Sequence, residues 1–257
     1  MADTKKTWKS VWITGASSGI GLELARLMAD KADHVAISAR SADQLEAAAA
    51  DHAALAAFPL DVTDADAVKD CVDRIAVQAG PIDLAVLGAG TWKLMDAEEF
   101  DLAGIRTGVE VNYMGVANAV AALLPGMLSR GSGHIAIVAS VAGYRGLPKA
   151  VAYGPTKAAL INLAETLKAE LAPHGIKVSV VNPGFVDTPM TKDNPFPMPG
   201  MIPAKEAARA LLDGLEKGRY EIVFPTGFVM GMKLLRLLPN ALYFWVVRNF
   251  ILKNANK

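Results

Sequence analysis

Residues 11–21 read VWITGASSGIG, a short apolar run that passes directly into a glycine-rich turn. The residues that follow, LELARLMADKA, repeat apolar positions at helical spacing, which predicts a strand, a glycine turn and a helix in that order. This arrangement aims backbone N–H groups and a helix N-terminus at a bound phosphate. The spacing is GxxxGxG rather than the GxGxxG of the usual dinucleotide fingerprint. An ordinary glycine-rich turn is the alternative, but the flanking strand and helix favour a nucleotide cofactor.

The alternation of strand and helix continues along the rest of the chain. Apolar runs predict further strands at 34–38, 55–60, 82–87, 134–139, 176–181 and 220–224. Helical patterns lie between them, at about 42–52, 64–79, 98–128, 153–172 and 204–217. Strands that alternate with helices are typical of a doubly wound parallel sheet. The 257 residues, 52% of them hydrophobic, contain no internal repeat or linker, so we predict a single α/β domain.

Composition argues against several classes of function. The 26 Lys and Arg residues balance 26 Asp and Glu residues, so the chain has no basic footprint for nucleic acid. Its four histidines are scattered without metal-ligand spacing, and we predict no metal site. With Cys71 as the one cysteine, no disulfide can form within the chain, and the N-terminal residues lack the apolar run of a signal peptide. The expected location is the cytoplasm, a reducing compartment.

Three later turns bear on the cofactor. The residue after the second strand of a nucleotide-binding α/β unit meets the adenosine ribose, where an arginine accommodates a 2′-phosphate. Arg40 holds this position and predicts NADP(H) rather than NAD(H), with a plain surface arginine as the alternative. Asp61, at the end of the third strand, can contact the adenine or simply cap a turn. Gly88-Ala89-Gly90 would let a cofactor lie against the backbone, although a tight turn also explains them.

The candidate catalytic chemistry centres on Tyr153 and Lys157. These residues stand four apart at a predicted helix start and so share one face. A neighbouring ammonium lowers the pKa of a phenol, and such a phenol can exchange a proton with a substrate oxygen. Ser140 directly follows a buried strand, at the sheet edge where open α/β sheets bind ligands. Asn112 interrupts an apolar helical run and is either a buried amide with partners or a surface residue.

Two segments near the C-terminus fall outside the regular pattern. Residues 185–203 are rich in Pro and Met without periodicity, and they form either a loop that closes over a substrate or a surface excursion. Residues 228–252 are strongly apolar and aromatic, but three basic residues and Pro239 argue against a single membrane span. We predict two short amphipathic helices on either side of Pro239. This extension, residues 227–257, would contact a membrane surface, cover the substrate mouth, pack on the core or join subunits.

In order along the chain, TGASSGIG at 14–21, Asn112, Ser140 and Tyr153-x-x-x-Lys157 resemble the short-chain dehydrogenase/reductase family. The resemblance covers about residues 8–226 and implies a catalytic domain of residues 1–226 with a Rossmann fold, a seven-stranded parallel sheet and a nicotinamide cofactor, here NADP(H). It also implies a homodimer or homotetramer, paired through the long helices at 98–128 and 153–172.

The resemblance further implies the roles of individual residues. Tyr153 would be the general acid/base, Ser140 would hydrogen-bond the substrate carbonyl, and Lys157 would lower the tyrosine pKa and hold the nicotinamide ribose. Asn112 would keep a water in the proton relay. The implied cofactor-binding residues are Gly15, Ser17, Ser18, Gly19, Ile20, Gly21, Arg40, Asp61, Val62, Gly88, Ala89, Gly90, Asn112, Tyr153, Lys157, Pro183, Gly184, Val186 and Thr188.

One motif departs from the family pattern. The family often has Asn-Asn-Ala-Gly after the fourth strand, whereas this chain has Leu87-Gly88-Ala89-Gly90. Because that motif mainly supports the sheet and lines the cofactor, the change bears on local stability more than on chemistry.

The function predicted from the resemblance is an NADP(H)-dependent oxidoreductase that interconverts a carbonyl and a secondary alcohol. An apolar or lipid-like ketone is one candidate substrate class, and an enzyme associated with a membrane is one candidate location. The alternative from another class is a catalytically silent, cofactor-binding regulatory protein of the same fold.

Overall fold

Strands and helices alternate through most of the computed structural model, which describes residues 6–252. The strands are β1 (Trp8–Thr14), β2 (Ala32–Ser38), β3 (Leu55–Ala57), β4 (Leu84–Leu87), β5 (Gly133–Val138), β6 (Ile176–Pro183), β7 (Val186–Asp187), β8 (Ile202–Pro203) and β9 (Glu221–Phe224). The α-helices are α1 (Gly19–Met28), α2 (Ala42–Ala50), α3 (Ala65–Ala79), α4 (Leu102–Val109), α5 (Gly115–Arg130), α6 (Gly154–Leu171), α7 (Ala204–Glu216), α8 (Thr226–Leu237) and α9 (Asn240–Val246). Shorter 3₁₀ turns lie at Ala97–Glu99, Val141–Gly143 and Ala172–His174, and π-helical turns at Glu110–Met114 and Val247–Leu252.

The central sheet confirms the predicted fold. Seven parallel strands lie in the order β3-β2-β1-β4-β5-β6-β9. The chain moves outward from β1 through β2 to β3, then returns to place β4 on the other side of β1. This reversal is the topological switch point of a doubly wound sheet, beside which open α/β sheets bind ligands at the carboxyl ends of the strands. The predicted binding residues after β1, β4 and β5 therefore share one edge of the sheet.

The core lies on both faces of the sheet. Successive side chains of a strand point to opposite faces. On β1, Val11 and Ile13 join one apolar cluster with α1 and α7, while Trp12 joins the other, with α3, α5 and α6. Burial on both faces explains why the central strands read as continuous apolar runs.

The structure refines three predicted elements. The strand expected at 55–60 ends as β3 at Ala57, although Phe58 and Leu60 still donate backbone hydrogen bonds to the end of β2 and beyond. The helix expected at 98–128 begins later, contains the π turn at Glu110–Met114, and continues to Arg130. Residues 228–252, called the tail below, form two helices on either side of Pro239, as predicted.

Candidate active site

Tyr153 and Lys157 stand at the start of α6. Tyr153 precedes the first helical residue, and Pro155 in the first turn suits a helix start because its missing N–H is not needed there. The Lys157 backbone N–H donates to the Tyr153 carbonyl at 3.1 Å, so one helical turn joins the two residues. The Lys157 side chain is buried, with Nζ donating to the Val138 carbonyl at 2.9 Å and lying 5.4 Å from the Tyr153 ring centroid.

Ser140 brings a hydroxyl to the same place from the end of β5. Its backbone is extended, and its Oγ accepts a hydrogen bond from the N–H of Ala142 at 3.1 Å. The hydroxyl lies 3.4 Å from the Pro183 carbonyl and within hydrogen-bonding reach of the Tyr153 phenol. The hydroxyls of Ser140 and Tyr153 therefore lie together, surrounded by the ends of β5 and β6 and the start of α6.

Asn112 lies in the π turn between α4 and α5 and is fully buried. Its Nδ2 donates to the Thr91 carbonyl at 3.0 Å and to Thr156 Oγ1 at 3.1 Å, and its Oδ1 accepts from the Thr91 N–H at 2.7 Å. The side chain therefore ties the loop after β4 to the first turn of α6. Nothing in the hydrophobic pattern indicated the π turn, which is an insertion of the kind often found at functional sites.

Burial shifts the pKa values of the two central side chains toward their neutral forms. The pKa of Tyr153 is raised to about 12 by burial, and its hydrogen bond with Ser140 opposes the rise. Burial lowers the pKa of Lys157 to about 8. The spacing argument expected Lys157 to lower the pKa of the phenol. In the described structure burial raises the pKa of the phenol instead, because desolvation penalises the charged form, and the group that opposes the rise is Ser140.

A groove of about 260 Å³ runs along the carboxyl edge of the sheet. Its lining includes most of the predicted cofactor residues: Gly15, Ser17, Ser18, Gly19, Ile20, Gly21, Gly88, Gly90, Tyr153, Lys157, Pro183, Gly184, Val186 and Thr188. Ala89, Arg40, Asp61, Val62 and Asn112 lie outside this lining. Asn112 is still adjacent, since its Oδ1 would lie 3.2 Å from a Cβ built on Gly90.

The backbone of the groove suits a dinucleotide. Gly15 has a φ of +74°, and a Cβ there would lie 2.7 Å from the Gly88 carbonyl oxygen, so only glycine keeps the turn against β4. In the described chain, the Ser18 side chain does not cap α1, and the first turn of α1 carries no acidic residue. The N-terminal N–H groups of α1 thus provide the positive end of a helix dipole for a phosphate.

Arg40 and Asp61 lie beyond the groove, after β2 and β3. The Arg40 side chain is exposed. Hydrogen bonds from the N–H and hydroxyl of Thr63, at 3.0 and 2.8 Å, lower the pKa of the Asp61 carboxyl, and the charge of Arg40 adds to this effect. Asp61 therefore caps a local turn, and a contact with adenine stays a prediction. Val62 is buried against α5, where Asn118 donates to its carbonyl at 3.0 Å.

A second, apolar cavity of about 330 Å³ adjoins the groove. Loop 185–203 and the tail supply much of its wall, including Phe185, Phe196, Phe228, Met232, Phe250 and Ile251. Five residues line both cavities: Ser140, Tyr153, Gly184, Met190 and Thr191. The phenol and the serine hydroxyl thus stand in the wall between a polar groove and an apolar cavity.

Trp92 is the main residue of the site that the sequence did not reveal. Its ring meets the ring of Tyr153 edge-on, with centroids 4.9 Å apart. Its Nε1 donates to Asn194 Oδ1 at 2.9 Å and so ties the loop over the cavity to the loop after β4. In the sequence, Trp92 stands out only as an aromatic residue two positions after the Gly88–Gly90 turn. No rule of sequence spacing predicts its contact with Tyr153.

Side chains near the site anchor the tail to the domain. Arg145, in the loop after Ser140, donates to the carbonyls of Leu238 and Arg236 at 2.6 and 3.2 Å and stacks 3.8 Å from the Tyr243 ring centroid. The buried Tyr243 hydroxyl donates to the Gly146 carbonyl. On the other side, Lys233 of α8 pairs with Glu221. Because Arg145 and Gly146 lie between Ser140 and Tyr153, these contacts hold the tail directly against that loop.

Known proteins resemble this chain over most of its length. The family model for short chain dehydrogenase matches residues 9–196. An uncharacterized oxidoreductase of Myxococcus xanthus (strain DK1622) is 33% identical over 92% of this chain and 95% of the relative. Ketoacyl reductase HetN of Nostoc sp. is 32% identical over 86% of this chain and 79% of the relative.

Solved structures share the fold closely. A short chain dehydrogenase from Burkholderia cenocepacia J2315, solved in complex with NADP, superposes with a TM-score of 0.81. It is 28% identical, and the match covers 95% of this chain and 98% of that one. A short-chain dehydrogenase from Streptomyces avermitilis superposes with a TM-score of 0.80 at 27% identity, over 98% of this chain and all of that one.

Proposed function

Since the chain belongs to the short chain dehydrogenase family of oxidoreductases, we propose that it interconverts a carbonyl and a secondary alcohol with NADP(H), using Tyr153 as general acid/base. The observation that carries the proposal is the position of Tyr153 and Ser140 in the wall between the groove and the apolar cavity. A cofactor in the groove and a substrate in the cavity would meet at these two hydroxyls.

The side chains at this wall suit carbonyl reduction at neutral pH. When bound, NADPH would supply the hydride. Because burial raises the pKa of Tyr153 to about 12, the phenol carries its proton at pH 7 and can give it to the substrate oxygen. The Ser140 hydroxyl would donate a hydrogen bond to the same oxygen and stabilise its developing negative charge.

Lys157 and Asn112 would support this proton transfer. With a pKa lowered to about 8, the Lys157 amine is still largely protonated at pH 7 and favours the phenolate left after proton donation. Both Asn112 Nδ2 hydrogens are engaged by Thr91 and Thr156. Any water that Asn112 keeps in a relay would therefore contact its Oδ1 or its backbone.

NADP(H) is the proposed cofactor because a cation follows β2. The exposed Arg40 offers a planar set of donors suited to a 2′-phosphate, and the residue before it, Ala39, offers no carboxylate for a ribose 2′-hydroxyl. The Burkholderia structure with NADP bound supports the same choice by analogy. The other predicted cofactor residues that line the groove would contact the cofactor, in part through their backbone N–H groups.

The cavity favours an apolar carbonyl compound. Four phenylalanines, two methionines and three prolines contribute to its wall, and the aromatic rings of Phe185 and Phe228 lie 5.3 Å apart. Burying apolar substrate surface against them contributes about 25 cal/mol per Å². The name of the HetN relative, a ketoacyl reductase, points to the same class of ketone.

A homodimer or homotetramer is the proposed assembly. The helical run Leu102–Arg130 is long and apolar enough to cross a membrane by length and composition. One side packs into the core through Asn112, Val116 and Ala119, while Leu102, Val109, Met114 and Leu128 are exposed. A second copy that covers this exposed stripe would account for its composition, and a monomer in sedimentation would contradict the assembly.

The proposal is tested by NADPH oxidation with a panel of carbonyl compounds, from small ketones and aldehydes to long-chain β-keto esters, with NADH in parallel. We expect turnover with NADPH and a preference for long apolar carbonyls. Binding of NADPH without turnover of any carbonyl would favour the silent regulatory protein.

A further inference from the structure

Helix α8 carries two opposite apolar stripes. Val229 and Met232 are buried in the core, and Phe228 and Leu235 pack beside them. On the other side, Met230, Leu234 and Leu237 follow one another at intervals of four and three residues and are 49%, 64% and 78% exposed. A helix that needed only to pack on this domain would expose polar residues there.

The α9 segment repeats this pattern. Tyr243 and Val247 are buried against the domain, whereas Leu242, Phe244 and Trp245 are exposed. Half of the exposed large hydrophobic side chains of the described chain lie within residues 228–252, which are about a tenth of it. We call the exposed large apolar side chains of α8 and α9 the tail surface: Met230, Leu234, Leu237, Leu242, Phe244 and Trp245. Apolar surface concentrated in this way marks an interaction site.

The charge of the tail has one sign. The sequence has no Asp or Glu after Glu221, but five basic residues, in a chain whose formal net charge is zero. Lys233 and Arg236 flank the exposed stripe of α8, with the charge of Lys233 offset by Glu221, and Arg248 is exposed beyond α9. The other two, Lys253 and Lys257, lie outside the described residues. Apolar and aromatic side chains beside basic ones are the composition of a surface that lies in the interface of an anionic bilayer.

We propose that the tail surface docks the protein on an anionic lipid bilayer. A second copy of the chain fits less well, because a two-fold contact would bring Arg236 and Arg248 of the two copies together, and the nearby carboxylate of Glu221 already pairs with Lys233. Arg145, Tyr243 and the Lys233–Glu221 pair anchor the tail to the domain, so the helices already present the apolar side chains at the surface.

On the basis of the proposed function, the docked orientation also determines where substrates reach the apolar cavity. Phe250 and Ile251, which follow the tail surface, line the apolar cavity, and so does Met190, which is 43% exposed. The mouth of the cavity would then open close to the bilayer, and the substrates would be carbonyl compounds dissolved in the membrane.

Co-sedimentation of the full chain with lipid vesicles tests the docking. Vesicles of phosphatidylcholine alone are compared with vesicles that also contain phosphatidylserine. We expect wild type to bind the anionic vesicles, and Leu237→Ser with Phe244→Ser to weaken this binding about tenfold or more. The matched control is Val77→Ser with Phe100→Ser, which removes two equally exposed apolar side chains elsewhere and should leave binding within about twofold.

Charge reversal separates the electrostatic part of binding. Arg248→Glu should weaken binding to the phosphatidylserine vesicles only, while Arg209→Glu, at an exposed position on α7, should not. Three results would overturn the proposal: no binding of wild type to either vesicle, undiminished binding of the double variant, or a drop of the double variant to a smaller assembly in sedimentation. The last result would make the tail surface an interface between copies.

Turnover of a small water-soluble ketone, measured on the same samples, keeps this proposal distinct from the proposed function. It should be equal in wild type and in all four variants, because none of the substituted side chains lines the groove or the cavity. A wild type that binds vesicles but reduces no carbonyl would contradict the function and leave the docking intact.

Discussion

Tyr153 and Lys157 show, at the scale of single residues, how burial shifts a side chain toward its neutral form. Burial raises the pKa of the phenol to about 12 and lowers the pKa of the amine to about 8. The phenol therefore carries its proton at neutral pH, and the pKa of the amine lies close to neutral pH. Such shifts are concentrated at functional sites because a catalytic acid or base needs a pKa matched to its task, and they cost stability.

The stability cost of Lys157 leads to a first prediction. Its pKa falls from an ordinary 10.5 to about 8 in the folded chain, so the unfolded chain binds the proton more tightly, and stability is lost as pH falls through this window. At pH 7 the penalty is on the order of 3 kcal/mol. Lys157→Met should raise the free energy of unfolding of the cofactor-free protein at pH 7 by about 1–2 kcal/mol, after loss of the hydrogen bond to Val138.

Urea unfolding at several pH values checks this prediction. The advantage of Lys157→Met should shrink as pH rises from 8 towards 10, while turnover is lost at every pH. A variant that is less stable than wild type at pH 7 would show that the buried amine is a net structural contributor.

Arg40 gives a second prediction at the same scale. Arg40→Asp removes the cation and places a carboxylate beside the expected 2′-phosphate, so NADPH should bind about tenfold or more weakly while NADH binds equally well or better. Fluorescence titration with each cofactor measures the change, and Arg209→Asp is the matched control. Equal weakening of both cofactors would contradict the 2′-phosphate assignment.

At the scale of elements, the sequence predicted what depends on local pattern. Continuous apolar runs located the sheet strands and period-3.6 hydrophobicity located their helices. The rule that open α/β sheets bind ligands at the carboxyl ends of their strands placed Ser140, while its pairing with Tyr153 was implied by the family resemblance. The π turn around Asn112 and the contact of Trp92 with Tyr153 did not follow. Both depend on packing between segments distant in sequence, which no local pattern encodes.

The anchoring of the tail leads to an element-scale prediction. Arg145 donates three hydrogen bonds to carbonyls at the end of α8 and one to Asn240 Oδ1 at 2.5 Å. Arg145→Gln should destabilise α8 and α9 locally by roughly 2 kcal/mol, because hydrogen bonds to a charged donor are lost. Hydrogen exchange of the α8 and α9 amides should accelerate while β1 and β5 stay protected.

Kinetics of the same variant distinguish a local effect from a general one. KM for a long apolar carbonyl should rise, because the tail forms part of the cavity wall, while kcat for a small ketone changes little. Arg209→Gln provides the control. Uniform acceleration of exchange throughout the sheet would contradict the local role of Arg145.

At the scale of the whole molecule, the site is formed by the same elements that form the fold. The switch point between β1 and β4 opens the groove, β5 and α6 supply the hydroxyls, and the tail closes the apolar cavity. The division into a catalytic domain of residues 1–226 and an extension of residues 227–257 stays a prediction. Val229 and Met232 already belong to the core of the domain, so the two parts share packing.

The acid stability of the whole fold supplies a further prediction. His134 of β5 is buried, with Nε2 2.8 Å from Ser179 Oγ, and that hydroxyl donates to the Arg219 carbonyl at 2.6 Å. Burial lowers the pKa of His134 to about 4. The unfolded chain therefore binds the proton first, and up to about 3 kcal/mol of stability should be lost as pH falls from 6.5 to 4.

His134→Gln should remove much of this pH dependence. The free energy of unfolding of the variant should fall less steeply than that of wild type between pH 6.5 and 4, measured by urea unfolding. His174→Gln, at an exposed position, should keep the wild-type slope. Parallel slopes for wild type and His134→Gln would place the acid sensitivity in other groups.

The most direct test of the central claim compares wild type with Tyr153→Phe in NADPH-dependent reduction of a ketone, with NADPH binding measured on the same samples. Loss of the proton donor should reduce kcat/KM by about 100-fold or more and leave the Kd for NADPH within a few-fold. Tyr113→Phe, a half-buried tyrosine in the π turn, should turn over like wild type. Undiminished reduction by Tyr153→Phe would contradict the assignment of Tyr153 as the acid, and loss of NADPH binding would make it a structural residue.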